Sequence, residues 1–212
     1  MADQLYLSLW YPNFRLLSLG PALVKVMEQF AATSGFPGVK AAAAYPISWR
    51  ETPAYQRIYD INPNQPPDED ELEASEPGRA VPVALELLHD DFAYEFEMTW
   101  ELWAPEPQGP LDPIWRKEAR TVRIVGFGPE FDEGAFEQNG HIRVDFGPDT
   151  AFLHEDVEMD EEATRKVKEN VKMLVDFTNA VQQNCGISSR LLWSESGESL
   201  AQKLIARLQQ VN

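Results

Sequence analysis

Cysteine is nearly absent from this chain: Cys185 stands alone among 212 residues. A single thiol cannot close a disulfide within the chain, nor can it supply the several thiolates of a cysteine-built zinc site. Basic residues are scarce as well, with 18 Lys plus Arg against 35 Asp plus Glu and a formal net charge of −17. A field of that sign repels phosphate backbones, so nucleic acid is not an expected partner, whereas a basic protein is. Long apolar runs are also missing. No uninterrupted stretch approaches the roughly 20 residues that a membrane helix needs, so no membrane partner is expected. The opening Met1-Ala2-Asp3-Gln4 has no basic region ahead of its apolar residues, which argues against a secretory leader and for a cytoplasmic protein. The phosphate loop, the dinucleotide fingerprint, the H-E-x-x-H pair and the glycine-centred calcium loop do not occur, and no cofactor is expected.

What the chain does have is alternation. From Phe92 to Trp103, the residues Phe92, Tyr94, Phe96, Met98, Trp100 and Leu102 alternate with Ala93, Glu95, Glu97, Thr99, Glu101 and Trp103. A period of two places these sets on opposite faces of one long strand, one face aromatic and the other rich in carboxylates. Each large apolar side chain contributes roughly 1.5–3 kcal/mol on full burial, so this strand is expected at the centre of the core. Leu5, Leu7, Leu9 and Tyr11 alternate in the same way, with Tyr6, Ser8 and Trp10 on the other face.

Other segments follow local chemistry. Pro21 suits a first helical turn, Leu23, Met27, Phe30 and Ala31 keep helical spacing, and Gly35 fits a left-handed stop. Val39–Trp49 is a strand candidate, and Tyr55, Arg57 and Tyr59 suit a short edge strand. The prolines and carboxylates from Asn62 to Gly78 predict a solvated loop. In Val81–His89, Ala84, Leu87 and Leu88 fit a helix while Val81, Val83, Leu85 and Leu87 fit a strand, and the long strand that follows favours a helix leading into it. Ala104–Pro113 is proline-rich and predicts a connector. Thr121–Gly128 and His141–Phe146 read as strands, with Pro129–Gly140 as an acidic loop between them. Val167, Val171, Leu174, Thr178 and Val181 mark a long helix ending before Gly186, followed by a strand at Ile187–Trp193 and a last helix from about Glu198.

These elements predict a single α+β domain over residues 1–212, with a mixed, largely antiparallel sheet and helices mainly on one face. Strand, helix, glycine, strand, tryptophan and a Ser/Glu turn occur twice. An internal duplication into two ferredoxin-like halves, 1–103 and 120–212, would explain that, and so would chance recurrence of a common order of elements.

The face away from the helices then gathers Tyr6, Ser8, Trp10, Glu95, Glu97, Glu101, Arg123, His141, Arg143, Asp145, Ser188 and Arg190. Cross-strand Glu/Arg pairing accounts for such a set structurally. A functional account is an acidic interaction protein, of the intracellular inhibitor or immunity type, that binds a basic partner through Tyr6, Trp10, Glu95, Glu97 and Glu101. The alternative is a metal-dependent, hydrolase-like enzyme using His141 and Asp145, with Glu133 beside them. His141, Asp145 and His154 are ligand types without a ligand spacing, and no metal site is assigned. Ser194-Glu195-Ser196-Gly197 has Leu192 where a nucleophile elbow requires glycine.

Overall fold

The alternating segments become strands wherever one set of side chains meets a helix. The computed structural model describes residues 3–59, 68–106, 114–154, 157, 160–197 and 199–209. Its strands are β1 (Gln4–Trp10), β2 (Ala41–Pro46), β3 (Tyr55–Ile58), β4 (Phe92–Glu106), β5 (Ile114–Phe127), β6 (Ile142–Pro148) and β7 (Ser189–Ser194). They form one sheet in the order β3-β2-β4-β5-β6-β1-β7. The described helices are α1 (Leu19–Ser34), α2 (Glu69–Ser75), α3 (Pro77–Ala84), α4 (Phe136–Asn139), α5 (Thr150–Leu153), α6 (Glu161–Asn184) and α7 (Leu200–Gln209). The chain is α+β, and every strand pair is antiparallel.

The core lies between the sheet and α1, α3, α5 and α6. Tyr94, Phe96, Met98, Trp100 and Leu102 of β4 are buried there with Leu5, Leu7 and Leu9 of β1 and Ile142, Val144 and Phe146 of β6. Helix α1 brings Leu19, Leu23, Val26, Met27 and Phe30 at the spacing of one helical face. It ends at Gly35, whose φ of 79° suits glycine. Trp100 packs among Phe30, Phe146 and Phe152, and Phe177 of α6 meets Phe30 edge-on at 5.3 Å. Gly126 lets α1 approach β5: a Cβ there would stand 2.7 Å from Leu19 Cδ1 and 2.9 Å from Leu23 Cδ1.

Beyond Glu97 the β4–β5 hairpin outruns β2, and among the described residues the outer edge of β4 has no strand beside it. Asn170 of α6 replaces one. Its Oδ1 accepts from Trp103 N–H at 2.8 Å, and its Nδ2 donates to the Trp103 carbonyl at 2.9 Å and to the Ala151 carbonyl at 2.7 Å. One amide side chain thus supplies both halves of a strand pairing inside the protein, where unpaired backbone groups are costly.

Three local expectations change. Residues 68–78 are not a solvated loop but the helix α2 and the start of α3: Asp68 caps α2, Ser75 O accepts from Val39 N–H at 2.9 Å, and Arg57 pairs with Glu71 at 3.2 Å. Charge concealed this helix, because carboxylates are also favourable in a first helical turn. Residues 62–67 of that expected loop lie outside the described residues. Ala104, Pro105 and Glu106 belong to β4 rather than to a connector, so the proline-rich stretch joins two paired strands of one hairpin. Pro105 is tolerated because it lies on the outer side of β4. The acidic stretch 129–140 carries α4 and packs Phe131 against Phe127 and Val125.

The expected ferredoxin-like pair is not what the strand order shows. Strands β6 and β7 flank β1 with α6 crossing over it, whereas β1 and β2 are separated by β6, β5 and β4. Strand β1, from the first half, therefore sits inside the second.

Candidate functional site

Directly opposite residues on neighbouring strands share a face, so the register fixes what the helix-free face presents. One row runs Ile58, Ala41, Glu97, Arg123, Asp145, Tyr6, Trp193 from β3 to β7, and the next runs Gln56, Ala43, Glu95, Val125, Arg143, Ser8, Leu191. A third row, Tyr45, Ala93, Phe127 and His141, is roofed by the 131–139 segment. There Trp49 packs on Phe131 at 5.1 Å, and Phe136 stacks on His141 at 5.5 Å. Among the described residues no element covers the first row, whose polar side chains remain at least partly exposed. The 131–139 segment reaches the second row at Val125, which packs on Phe131, and at Arg143, which bonds Asn139; Ser8 of that row is buried, and Glu95 and Arg143 are partly exposed.

The charges in these two rows are unequally satisfied. Arg123 Nε donates to Glu97 at 3.1 Å, and Arg123 Nη1 lies 4.0 Å from Asp145. Asp145 also accepts from Gly147 N–H at 2.9 Å. Glu95 forms no hydrogen bond or ion pair among the described residues. It stands between Ala43 and Val125 in its row, and burial raises its pKa above the ordinary value, against the opposing pull of Arg123. The Tyr45 phenol is also raised, by burial first and then by Glu95 and Glu97.

Toward β7 the rows form a stack. The Arg143 guanidinium lies 5.1 Å from the Tyr6 ring on one side and 5.4 Å from the Phe127 ring on the other. Tyr6 packs on Trp193 with centroids 4.6 Å apart. Arg143 Nη1 donates to Asn139 at 2.8 Å, Trp193 Nε1 donates to the buried Ser8 hydroxyl at 2.9 Å, and Tyr6 OH donates to Glu195 at 3.3 Å. Burial pushes the Tyr6 phenol up to about 12, so at neutral pH it is a proton donor.

Among known proteins, no family, curated protein or solved structure matches the chain.

The surface expected from sequence is thus divided. Tyr6, Glu95 and Glu97 lie together in the first two rows. Trp10 lies on the same face at the far end of β1, opposite Ser189. Glu101 stands on the hairpin extension opposite Ala119, about 13 Å of strand from Glu97. Arg190 leaves the set: it turns to the helix side, where its guanidinium donates to the Thr178 carbonyl and to Asn179 Oδ1. Ser188 precedes β7 and donates to the Trp10 carbonyl. The residues that sequence reasoning missed are Trp193, Leu191 and Glu195. Their signal was the odd-numbered phase of β7, masked because Leu191 and Leu192 are both apolar.

His141 and Asp145 do not converge. His141 Nδ1 accepts from Tyr11 N–H at 3.0 Å while its ring stacks on Phe14 at 4.0 Å, and Asp145 lies about 13 Å further along the strand. Burial lowers the His141 pKa, which suits a neutral imidazole acting as an acceptor. His154 stands elsewhere, its Nε2 at 3.1 Å from the Trp103 carbonyl. Among the described residues no three His, Cys, Asp or Glu side chains are grouped so as to hold a metal ion. No described helix is long and apolar enough to cross a membrane.

Proposed function

We propose that this chain is an acidic interaction protein that binds a basic protein partner across the open sheet face, as an inhibitor- or immunity-type protein of the cytoplasm would. The observation that carries this reading is the Arg143–Tyr6–Trp193 stack, backed by the buried Phe127, with Glu95 on the same face beyond Val125. Trp, Tyr and Arg are the residue types that dominate interface energetics, and a stack already held by Ser8, Asn139 and Glu195 loses little freedom on binding. Glu95 complements it as a partly desolvated carboxylate that no described cation pairs directly, Arg123 acting on it only from a distance, so a partner's Lys or Arg offsets a cost that the free protein carries. Counting Glu95, Glu97, Asp145 and Glu195 against Arg123 and Arg143, the face is acidic, which steers basic partners and excludes acidic ones. The separation of His141 from Asp145 gives the hydrolase reading no support.

The test is affinity capture with the native protein at low and moderate salt, in parallel with Trp193→Ala and Glu95→Gln, followed by calorimetry with the captured partner. A basic partner whose affinity falls at least about thirtyfold in Trp193→Ala, a loss of about 2 kcal/mol, supports the reading. Its salt dependence should weaken in Glu95→Gln. Capture that neither substitution changes would overturn the assignment of this face.

A further inference from the structure

The two edges of the sheet are not equivalent. Strand β3 has four residues, and its Arg57 is held by Glu71 of α2. A short, charged strand flanked by a helix is a guarded edge. Strand β7 has six residues without proline or lysine. Its one charged side chain, Arg190, is withdrawn onto Thr178 and Asn179 of α6. Leu191 and Leu192 at its centre are 52% and 37% exposed.

The backbone phase shows which groups of β7 face outward. Glu195 N–H donates to the Gln4 carbonyl, and with the register Leu5↔Ser194 this makes Tyr6/Trp193 and Ser8/Leu191 the hydrogen-bonded pairs. The far side of β1 agrees. Phe127 N–H donates to the His141 carbonyl, which directs the odd residues of β6 to β5 and leaves Ile142 and Val144 to bond Leu9 and Leu7. The N–H and C=O of Arg190 and Leu192 therefore point away from β1. Among the described residues nothing bonds them.

We propose that β7 receives an extended, basic segment of the partner as an added strand. This rests on the reading above that the partner is basic. The edge is continuous with the open face through Leu191, Trp193 and Glu195, so an added strand meets an apolar position beside Leu191 and a carboxylate at Glu195, with Asp145 in the adjoining row. An alternation of apolar and basic side chains matches that pattern on one face, while its main chain bonds Arg190 and Leu192. A second copy of this chain fits poorly, since each copy carries a formal charge of −17.

The probe is a blocked ten-residue peptide in which every second residue is by turns valine and lysine, with threonine between them, so that one strand face alternates apolar and basic side chains; it is titrated into the native protein by calorimetry, with amide hydrogen exchange as the second readout. Two controls isolate the backbone: the same peptide N-methylated at alternate amides, and the Leu192→Pro variant, whose missing N–H is one that β1 does not use. Strand addition slows exchange at Leu192 and Arg190 and loses at least tenfold in affinity with either control, while the thermal unfolding of Leu192→Pro stays close to that of the native protein. If Leu192→Pro fails to fold, the N-methylated peptide carries the test. Binding that neither control weakens overturns strand addition and leaves the sheet-face reading standing. Equal binding of the same peptide with glutamate in place of lysine overturns the charge argument of both. A dimer of the native protein that Leu192→Pro dissociates identifies the second copy as occupant and overturns the proposal.

Discussion

Glu95 is the residue at which packing and charge conflict most openly. Its carboxyl is partly desolvated between Ala43 and Val125, and burial raises its folded pKa above the ordinary 4.5. An acid with a raised folded pKa ionises more readily in the unfolded chain, so its charge opposes folding at every pH above the folded value. That opposition fades as pH falls toward 4.5 and is gone below it. Glu95→Gln is therefore expected to match or exceed the native protein in thermal stability at pH 7, the advantage disappearing at about pH 4. Stability loss at pH 7 in this variant, measured by calorimetry, would show that Glu95 is held by a cation. His141 has the opposite character. Its folded pKa is lowered from 6.5 by burial, so the unfolded chain takes up a proton first and stability falls as pH drops below about 6.5. His154 is lowered by burial as well and adds to the fall. His141→Phe should flatten part of this decline between pH 7 and pH 5 in a series of thermal melts. It also removes the acceptor for Tyr11 N–H, at a pH-independent cost of about 1 kcal/mol.

At the scale of elements, the hairpin β4–β5 and helix α6 depend on each other through Asn170. Its amide satisfies both main-chain groups of Trp103 and the Ala151 carbonyl. Leaving a buried donor or acceptor unpaired costs roughly 1–3 kcal/mol. Asn170→Ala is accordingly expected to destabilise by about 2–4 kcal/mol, read as a lower denaturation midpoint with an unchanged slope. A shift under about 0.5 kcal/mol would mean that water takes over the bonds. Helix α2 is bound in a similar way, through Ser75 O to Val39 and Glu71 to Arg57. Although residues 62–78 carry a run of carboxylates, replacing 69–76 with a Gly/Ser linker should therefore lower the melting temperature by several degrees. Unchanged melting would show that α2 is dispensable.

For the whole molecule, the excess of negative charge opposes compaction and is screened by salt. The native protein should gain thermal stability as sodium chloride rises from low millimolar to about 0.15 M. Changing Glu95, Glu97 and Glu101 together to Gln removes three of these charges. Among the described residues it loses only the partly exposed Glu97–Arg123 pair, worth about 0–1 kcal/mol. The triple variant should melt within a few degrees of the native protein and respond less to salt. A large, salt-independent destabilisation would mean that this face is closed rather than open.

What the sequence determined by itself is whatever depends on spacing along one strand or helix. The alternation from Phe92 to Leu102 is period-two chemistry that no neighbour alters, and Tyr94 to Leu102 are buried as it requires. The spacing of Leu23, Met27 and Phe30 and the stop at Gly35 are likewise local. Tyr6, Glu95 and Glu97 were legible as one face for the same reason. Only the tertiary structure decided which strands lie side by side. It put β1 between β6 and β7, setting Tyr6 beside Trp193 and Asp145. It turned Arg190 to the helices, because Leu191 and Leu192 present an ambiguous phase that only pairing with β1 resolves. It also laid the acidic 131–139 segment over one row of the face and onto Val125 and Arg143 of the next, leaving Glu95 partly exposed at its border. Strand order and such coverings depend on contacts between residues far apart in the chain, about which the periodicity of any one segment carries no information.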